Sequence, residues 1–271
     1  MQNTFVTDAK KFKKFFEVPA ALTREILLKI NEPDQPVFQL VAIDPANVAM
    51  CAVSMSGDHF EQMGSEPQEA GLDLPVLMRM LAGFKSKYAQ PVALVFDQPS
   101  QEAKETPQYH LSGWKYGMAD IQPQIEHSHQ IIDPTVIRSQ PKIPDVDLSV
   151  DIKIPAIVLH DVIKTIKQTR YDHLVIQRTE THLVFTTDLK QNDGQKMRYS
   201  IEMDALQDQG DHSLARSMFS LDYLADMVKV IPKDCLVRMR FGQDYPLRLE
   251  FQPFGKGFDA LYILAPRIES E

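Results

Sequence analysis

"GLDLPVLMRML" (residues 71–81) and "SLDYLADMVKV" (residues 220–230) decide how this chain is organised. Both open on a small residue followed by Leu-Asp, and both carry Met seven positions later, at Met78 and Met227. Each runs on, after a short turn, into a strand-like segment, "VALVF" (92–96) and "LVRMRF" (236–241). Residues 71 and 220 stand 149 apart, and the strands about 145. A weaker pair precedes them. "FVTDAKKFKKFF" (5–16) opens the first half as "IKIPAIVLHDVIKTI" (152–166) opens the second, a strand running into a helix. Similarity at so long a period marks a duplicated domain and not a solenoid.

Between the copies lies "IIDPTVIRSQPKIPDVDLSV" (131–150), with three prolines and no helical period. It reads as an extended crossover. The expected division is a first domain at 1–132, a connector at 133–148 and a second domain at 149–271. Strands dominate each half. "REILLKI", "FQLVAI", "VAMCAVSM", "PVALVFD", "HLVIQRT", "HLVFTTD", "MRYSIEM", "CLVRMRF", "PLRLEF" and "ALYILAP" are short apolar runs divided by Asp, Gly, Pro or Asn. Four segments read as helices. The class is α+β: two similar tandem domains with antiparallel sheets and two helices each.

The chain has 271 residues, 44% of them hydrophobic, enough for two ordinary cores. Cys51 and Cys235 have no CxxC spacing and read as buried apolar residues in a reducing compartment. No window offers the roughly eighteen apolar residues of a membrane span. The N-terminus lacks a continuous apolar signal core. The expected location is the cytoplasm or nucleoid of a prokaryote, or the nucleus of a eukaryote. Net charge is −8, from 29 basic and 37 acidic residues, which taken alone argues against nucleic acid.

The helices alter that conclusion. The first buries Phe12, Phe15 and Phe16 and shows Lys10, Lys11, Lys13 and Lys14. The second buries Leu74, Leu77, Met78 and Leu81 and shows Arg79, then Lys85 and Lys87. The third, starting at Pro155, buries Leu159, Val162, Ile163 and Ile166 and shows His160, Lys164 and Lys167. The fourth, capped by Ser220, buries Leu221, Leu224, Met227, Val228 and Ile231 and shows Lys229 and Lys233. One basic helix face is ordinary, since Lys near a C-terminus complements the helix dipole. Four in an acidic chain are a segregated pattern. Duplex DNA presents one negative charge per about 1.7 Å of axis, so such lysines would hold it without reading sequence.

Several segments together resemble the sliding clamps of the proliferating-cell-nuclear-antigen family. "LVAIDPANVAMCAV" (40–53) resembles their Asp-containing strand–turn–strand. "KIPDVDLSVDIKIP" (142–155) resembles the end of their connector and the next strand. "PLRLEF" (246–251) followed by "LYILAPRIESE" (261–271) resembles their last hairpin and tail. The resemblance implies a ring, normally a trimer, with helices lining the hole and sheets outside. Such a ring encircles duplex DNA and tethers polymerases, a clamp loader and repair proteins, with no cofactor and no catalysis of its own.

The resemblance also implies a pocket for a partner peptide bearing a glutamine and aliphatic and aromatic anchors. It would be built from Ile43, Val48 and Met50, from Val136 and Ile137 in the connector, from Pro246, and from Tyr262, Leu264 and Pro266. The backbone from Ala265 to Ile268 would receive the peptide's polar start. Subunits would meet through edge strands at about 125–131 and 195–201. The stretch at 99–130 matches the family poorly, which leaves open a subunit acting only in a mixed ring.

Motifs for other chemistry are missing. There is no Walker A run, no GxGxxG and no GxSxG. His127 and His129 stand two apart in "EHSHQ", and with Asp133 would be the seed of a metal enzyme. Two ligands leave a zinc site incomplete, so a polar exposed strand is the favoured reading and no metal is expected. Asp145 and Asp147 read as a solvated connector, and Trp114 as structural.

Overall fold

The structure, a computed structural model, describes residues 2–84, 91–97, 106–114, 124–168, 171–187, 196–208, 210 and 213–267. The chain forms two compact units. The first comprises Met1–Ala42, Ala52–Lys142 and Phe254–Asp259; the second comprises Ile43–Cys51, Ile143–Pro253 and Ala260–Glu271. The main change of unit, at 142–143, falls inside the expected connector. Two short segments belong to the unit opposite to their place in the chain.

The first half runs β1 (Gln2–Asp8), α1 (Ala9–Ala20), β2 (Glu25–Ile30), β3 (Phe38–Ile43), β4 (Ala49–Met55), β5 (Gln68–Asp73), α2 (Leu74–Ala82), β6 (Pro91–Asp97), β7 (Gln108–Trp114) and β8 (Gln124–Gln130). The second runs β9 (Val150–Pro155), α3 (Ala156–Ile166), β10 (His173–Arg178), β11 (His182–Thr186), β12 (Arg198–Glu202), β13 (Gln207–Asp208), β14 (Ala215–Ser220), α4 (Leu221–Val230), β15 (Leu236–Phe241), β16 (Leu247–Phe251) and β17 (Phe258–Leu264). Strand order repeats with the element order. Antiparallel β1-β6-β7-β8 is matched by β9-β15-β16-β17, and β3-β2-β5 by β11-β10-β14.

Helix starts fix the register of the repeat. Asp8 caps α1 by accepting from Lys10 N at 2.7 Å, and Asp73 caps α2 by accepting from Val76 N at 2.9 Å. Pro155 and Ser220 hold the same positions before α3 and α4. Both pairs stand 147 apart, two fewer than the helical segments suggest. The Leu-Asp of the first half closes β5, whereas Leu221 and Asp222 already lie in α4. The buried sets then coincide: Leu74, Leu77, Met80 and Leu81 against Leu221, Leu224, Met227 and Val228. Met80, not Met78, is the counterpart of Met227, and Met78 is half-buried. Ser220 makes no capping bond, because it ends β14 buried opposite His173.

The repeat extends beyond its last strands. Ile132 N donates to Gly71 O at 2.9 Å, and Arg267 N donates to Met218 O at 2.7 Å. Positions 71 and 218 again differ by 147. The C-terminal tail is therefore the second copy of the segment that begins the connector. At Gly71 the approach is so close that a Cβ would lie 2.4 Å from Ile132 O, which accounts for the small residue there.

Candidate functional site

An open groove of about 510 Å3 runs between α3 and α4 of the second unit. His160, Lys164 and Lys167 line it from α3, and Lys229 and Lys233 from α4 and its exit. All five positions expected from these helices, His160 and four lysines, are brought together there, with Asp161 as the acid in the lining. The helices expose these lysines because their apolar stripes are spent on the core: Leu159, Val162, Ile163 and Ile166 from one, Leu221, Leu224, Met227 and Val228 from the other. Lys167 pairs with Asp222 at 3.2 Å, an exposed pair worth little. His160 is already engaged: its Nε2 donates to Ile231 O at 2.8 Å, tying α3 to the end of α4. It shapes the groove more than it offers a free ring nitrogen.

In the first unit, Lys10 and Lys13 are exposed on α1 and Arg79 on α2. Glu17 interrupts the α1 face, 2.7 Å from Lys14 and 3.8 Å from Lys13. Lys11 departs from the expected face. It stands about 100° round the helix from Lys10, and its Nζ donates to His59 O at 3.2 Å. Lys85 and Lys87 lie outside the described residues.

The second candidate site is the turn after β3 together with the tail after β17, both in the second unit. Asp44, 2% exposed, builds the turn. Its Oδ1 accepts from Val48 N at 2.8 Å and Ala49 N at 2.7 Å; its Oδ2 accepts from Ala46 N at 2.9 Å and the Tyr223 hydroxyl at 2.6 Å. Burial pushes this carboxyl upward, but the Tyr223 and backbone hydrogen bonds outweigh it and hold it below the usual carboxylate range. The same bond pushes the Tyr223 phenol up to about 12. Asn47 takes φ 59°, a left-handed position that Asn tolerates. Val48 O accepts from Ala265 N at 2.8 Å, so the turn sets the register of the tail. The Arg267 side chain meets the His173 ring, a second anchor.

Strand parity corrects the expected pocket wall. In β16 and β17, Leu247 stands opposite Leu264 and Leu249 opposite Tyr262. These side chains face inward. Tyr262 is 0% and Leu264 1% exposed, and the Tyr262 ring stacks on Phe251 at 6.0 Å. Neither can wall a pocket open to solvent. Ile263 and Leu261 alternate to the other face, with Arg248 and Glu250, and are themselves buried, at 7% and 8% exposed. Pro246, one step before Leu247, shares that parity and is half-buried. Val48 is 36% exposed, Ile43, Ala265 and Pro266 are half-buried, and Met50 is buried. In the first unit, Val136 is 71% exposed in a short 3-10 turn capped by Asp133, and Ile137 is half-buried. Ile268 lies outside the described residues. The sequence carried no signal for the facing of Ile263 and Leu261, since both parities of β17 are apolar, and none for Asp44 and Tyr223, 179 residues apart.

His127 and His129 lie on β8, where they alternate with exposed Glu126, Ser128 and Gln130. Among the described residues, no three His, Cys, Asp or Glu side chains cluster as a metal site, and no helix is long and apolar enough to cross a membrane.

Two copies of one module, each a helix pair packed with antiparallel sheets, define a duplicated clamp-type protein. No family model matches the chain. The DNA polymerase sliding clamp of Methanothrix thermoacetophila is 30% identical over 266 residues, covering 98% of this chain and 98% of that protein. The DNA polymerase sliding clamp of Haloarcula marismortui is 34% identical over 241 residues, covering 86% and 87%. Among solved structures, Archaeoglobus fulgidus PCNA bound to the C-terminal region of FEN-1 superposes with a TM-score of 0.83 at 26% identity, over 99% of this chain and 100% of that one. The chain belongs to the DNA polymerase sliding clamp family.

Proposed function

We infer that this protein is a processivity factor: a ring of three subunits that closes around duplex DNA and holds a polymerase and other clients on it. The observation that carries this reading is the α3–α4 groove, where Lys164, Lys167, Lys229 and Lys233 converge in a chain of net charge −8. Lysine ammonium groups on exposed stems would meet phosphates as point charges and ignore base sequence. Such contacts are weak, salt-dependent and mobile along the duplex. Closure into a ring would supply the retention that these contacts lack, and the clamp itself would make and break no bond.

The basic residues of α1 and α2, in the first unit, would make contacts of the same kind with phosphates. Assembly would pair the edge strand β8 of one subunit with β12 of the next, both short, polar and alternating. The turn at 43–49, Pro246, Ile263 and the tail would receive a client peptide; Val136 and Ile137, in the first unit, would offer it an apolar surface of their own. The FEN-1 segment on the Archaeoglobus fulgidus protein supports a peptide site of this kind. The site of action would be the nucleoid.

Light scattering at working concentration should give three chains per particle. After loading, the protein should stay on circular DNA and leave the same molecule once it is cut. A strict monomer, or equal loss from both forms, would refute the reading.

A further inference from the structure

A carboxylate offers about four acceptor positions, and Asp44 fills all four. Three of its donors, Ala46 N, Val48 N and Ala49 N, belong to the turn and follow it wherever it goes. The fourth is the Tyr223 hydroxyl, at 2.6 Å, from the first helical turn of α4. The turn passes its position to the tail through Val48 O and Ala265 N, 2.8 Å apart. The tail returns it to the strand that leads into α4 through Arg267 N and Met218 O, 2.7 Å apart. Turn, tail, β14 and α4 thus form a closed circuit of bonds within one unit, and Tyr223 closes it.

The geometry points to Tyr223 as a positioning residue for the peptide site: its hydroxyl holds the Asp44 turn against α4 and thereby fixes where Val48 and the tail backbone stand. A client peptide that pairs with the tail and rests an apolar anchor on Val48 meets two elements with independent chain connections. Without the hydroxyl, the turn keeps its internal bonds and its tie to Ala265 and loses its tie to α4. Binding must then order it at each encounter, which weakens affinity without removing any group the peptide touches. This inference rests on the peptide site proposed above.

Tyr223→Phe in the full-length protein removes one oxygen and keeps the ring. The probe is a synthetic peptide carrying a glutamine with aliphatic and aromatic anchors, titrated calorimetrically. We expect affinity to fall about three- to tenfold, a part of what a hydrogen bond to a charged group contributes. Amide exchange should quicken at Ala46, Val48, Ala49 and Ala265 and stay unchanged in β15 and β16. Adding Asp44→Asn to the variant should weaken binding further by less than it does in the wild-type background. Equal affinity of wild type and Tyr223→Phe would overturn the inference. So would faster exchange spread across β15 and β16, the mark of a general structural role. Failure of the wild type to bind the peptide would instead remove the site on which the inference stands.

Discussion

Leu264→Ala and Val48→Ala should have opposite consequences, although both positions belong to the segments that resemble a clamp's peptide site. Leu264 is 1% exposed, stands opposite Leu247 and shares the inner face with Tyr262. Truncation there deletes three carbons from a filled core, and Leu→Ala at such sites costs about 3–5 kcal/mol. Val48 is 36% exposed, so losing two methyls should cost the fold under about 1 kcal/mol. It should instead weaken a client peptide by about 1–2 kcal/mol if Val48 is an anchor point. Urea unfolding at one fixed protein concentration and peptide titration of both variants separate the cases. The expected pattern is a large shift of the midpoint for Leu264→Ala with slope unchanged, and a change in affinity alone for Val48→Ala. A Leu264→Ala protein of wild-type stability that fails to bind peptide would refute the assigned parity of β17.

Lys164→Glu with Lys229→Glu should leave the oligomer intact and shorten retention on DNA. The dependence of log affinity on log salt should flatten by about two contacts at 0.9 each. Asp44 should make the fold acid-sensitive with a definite sign. Its folded value is depressed, so its stabilisation is complete above the ordinary carboxylate range and is lost as pH falls through the folded value. The difference in thermal midpoint between wild type and Asp44→Asn should therefore be constant near neutrality and shrink below about pH 4. Gly71→Ala should destabilise the first unit by about 1–3 kcal/mol, because the new Cβ would lie 2.4 Å from Ile132 O and 2.8 Å from Ile137 Cδ1. Its denaturation midpoint should drop while Gly255→Ala, at open space but with φ 82°, should lose only the smaller backbone cost.

How much was legible depended on the range of the interaction. Helices announce themselves locally, through stripes such as Leu159, Val162, Ile163 and Ile166, and all four expected helices are present. Strands rich in Val, Ile and Leu were equally plain. β5, "QEAGLD", and β14, "ARSMFS", were not, because their sequences favour no strand. They are extended because β2 and β10 bind them along six residue pairs each. The same limit explains the pocket wall. Tyr262 and Leu264 are as apolar as Leu261 and Ile263, so composition cannot say which pair faces inward. Only the register against Leu247 and Leu249 decides it.

The duplication also gives the apolar run Leu261–Leu264 its place in the fold. The two halves end alike: a strand, then a residue whose amide returns to the strand before the second helix, Ile132 to Gly71 and Arg267 to Met218, the acceptors 147 residues apart. In the first half the chain continues from that point into the connector, and Gly71 admits the close approach. In the second, Met218 takes the place of Gly71. The apolar run from Leu261 to Leu264 is a core strand, paired with Leu247 and Leu249, whereas its counterpart β8 is polar and half-exposed. What is peculiar to the second half is the pairing of its tail with the Asp44 turn, through Val48 O and Ala265 N.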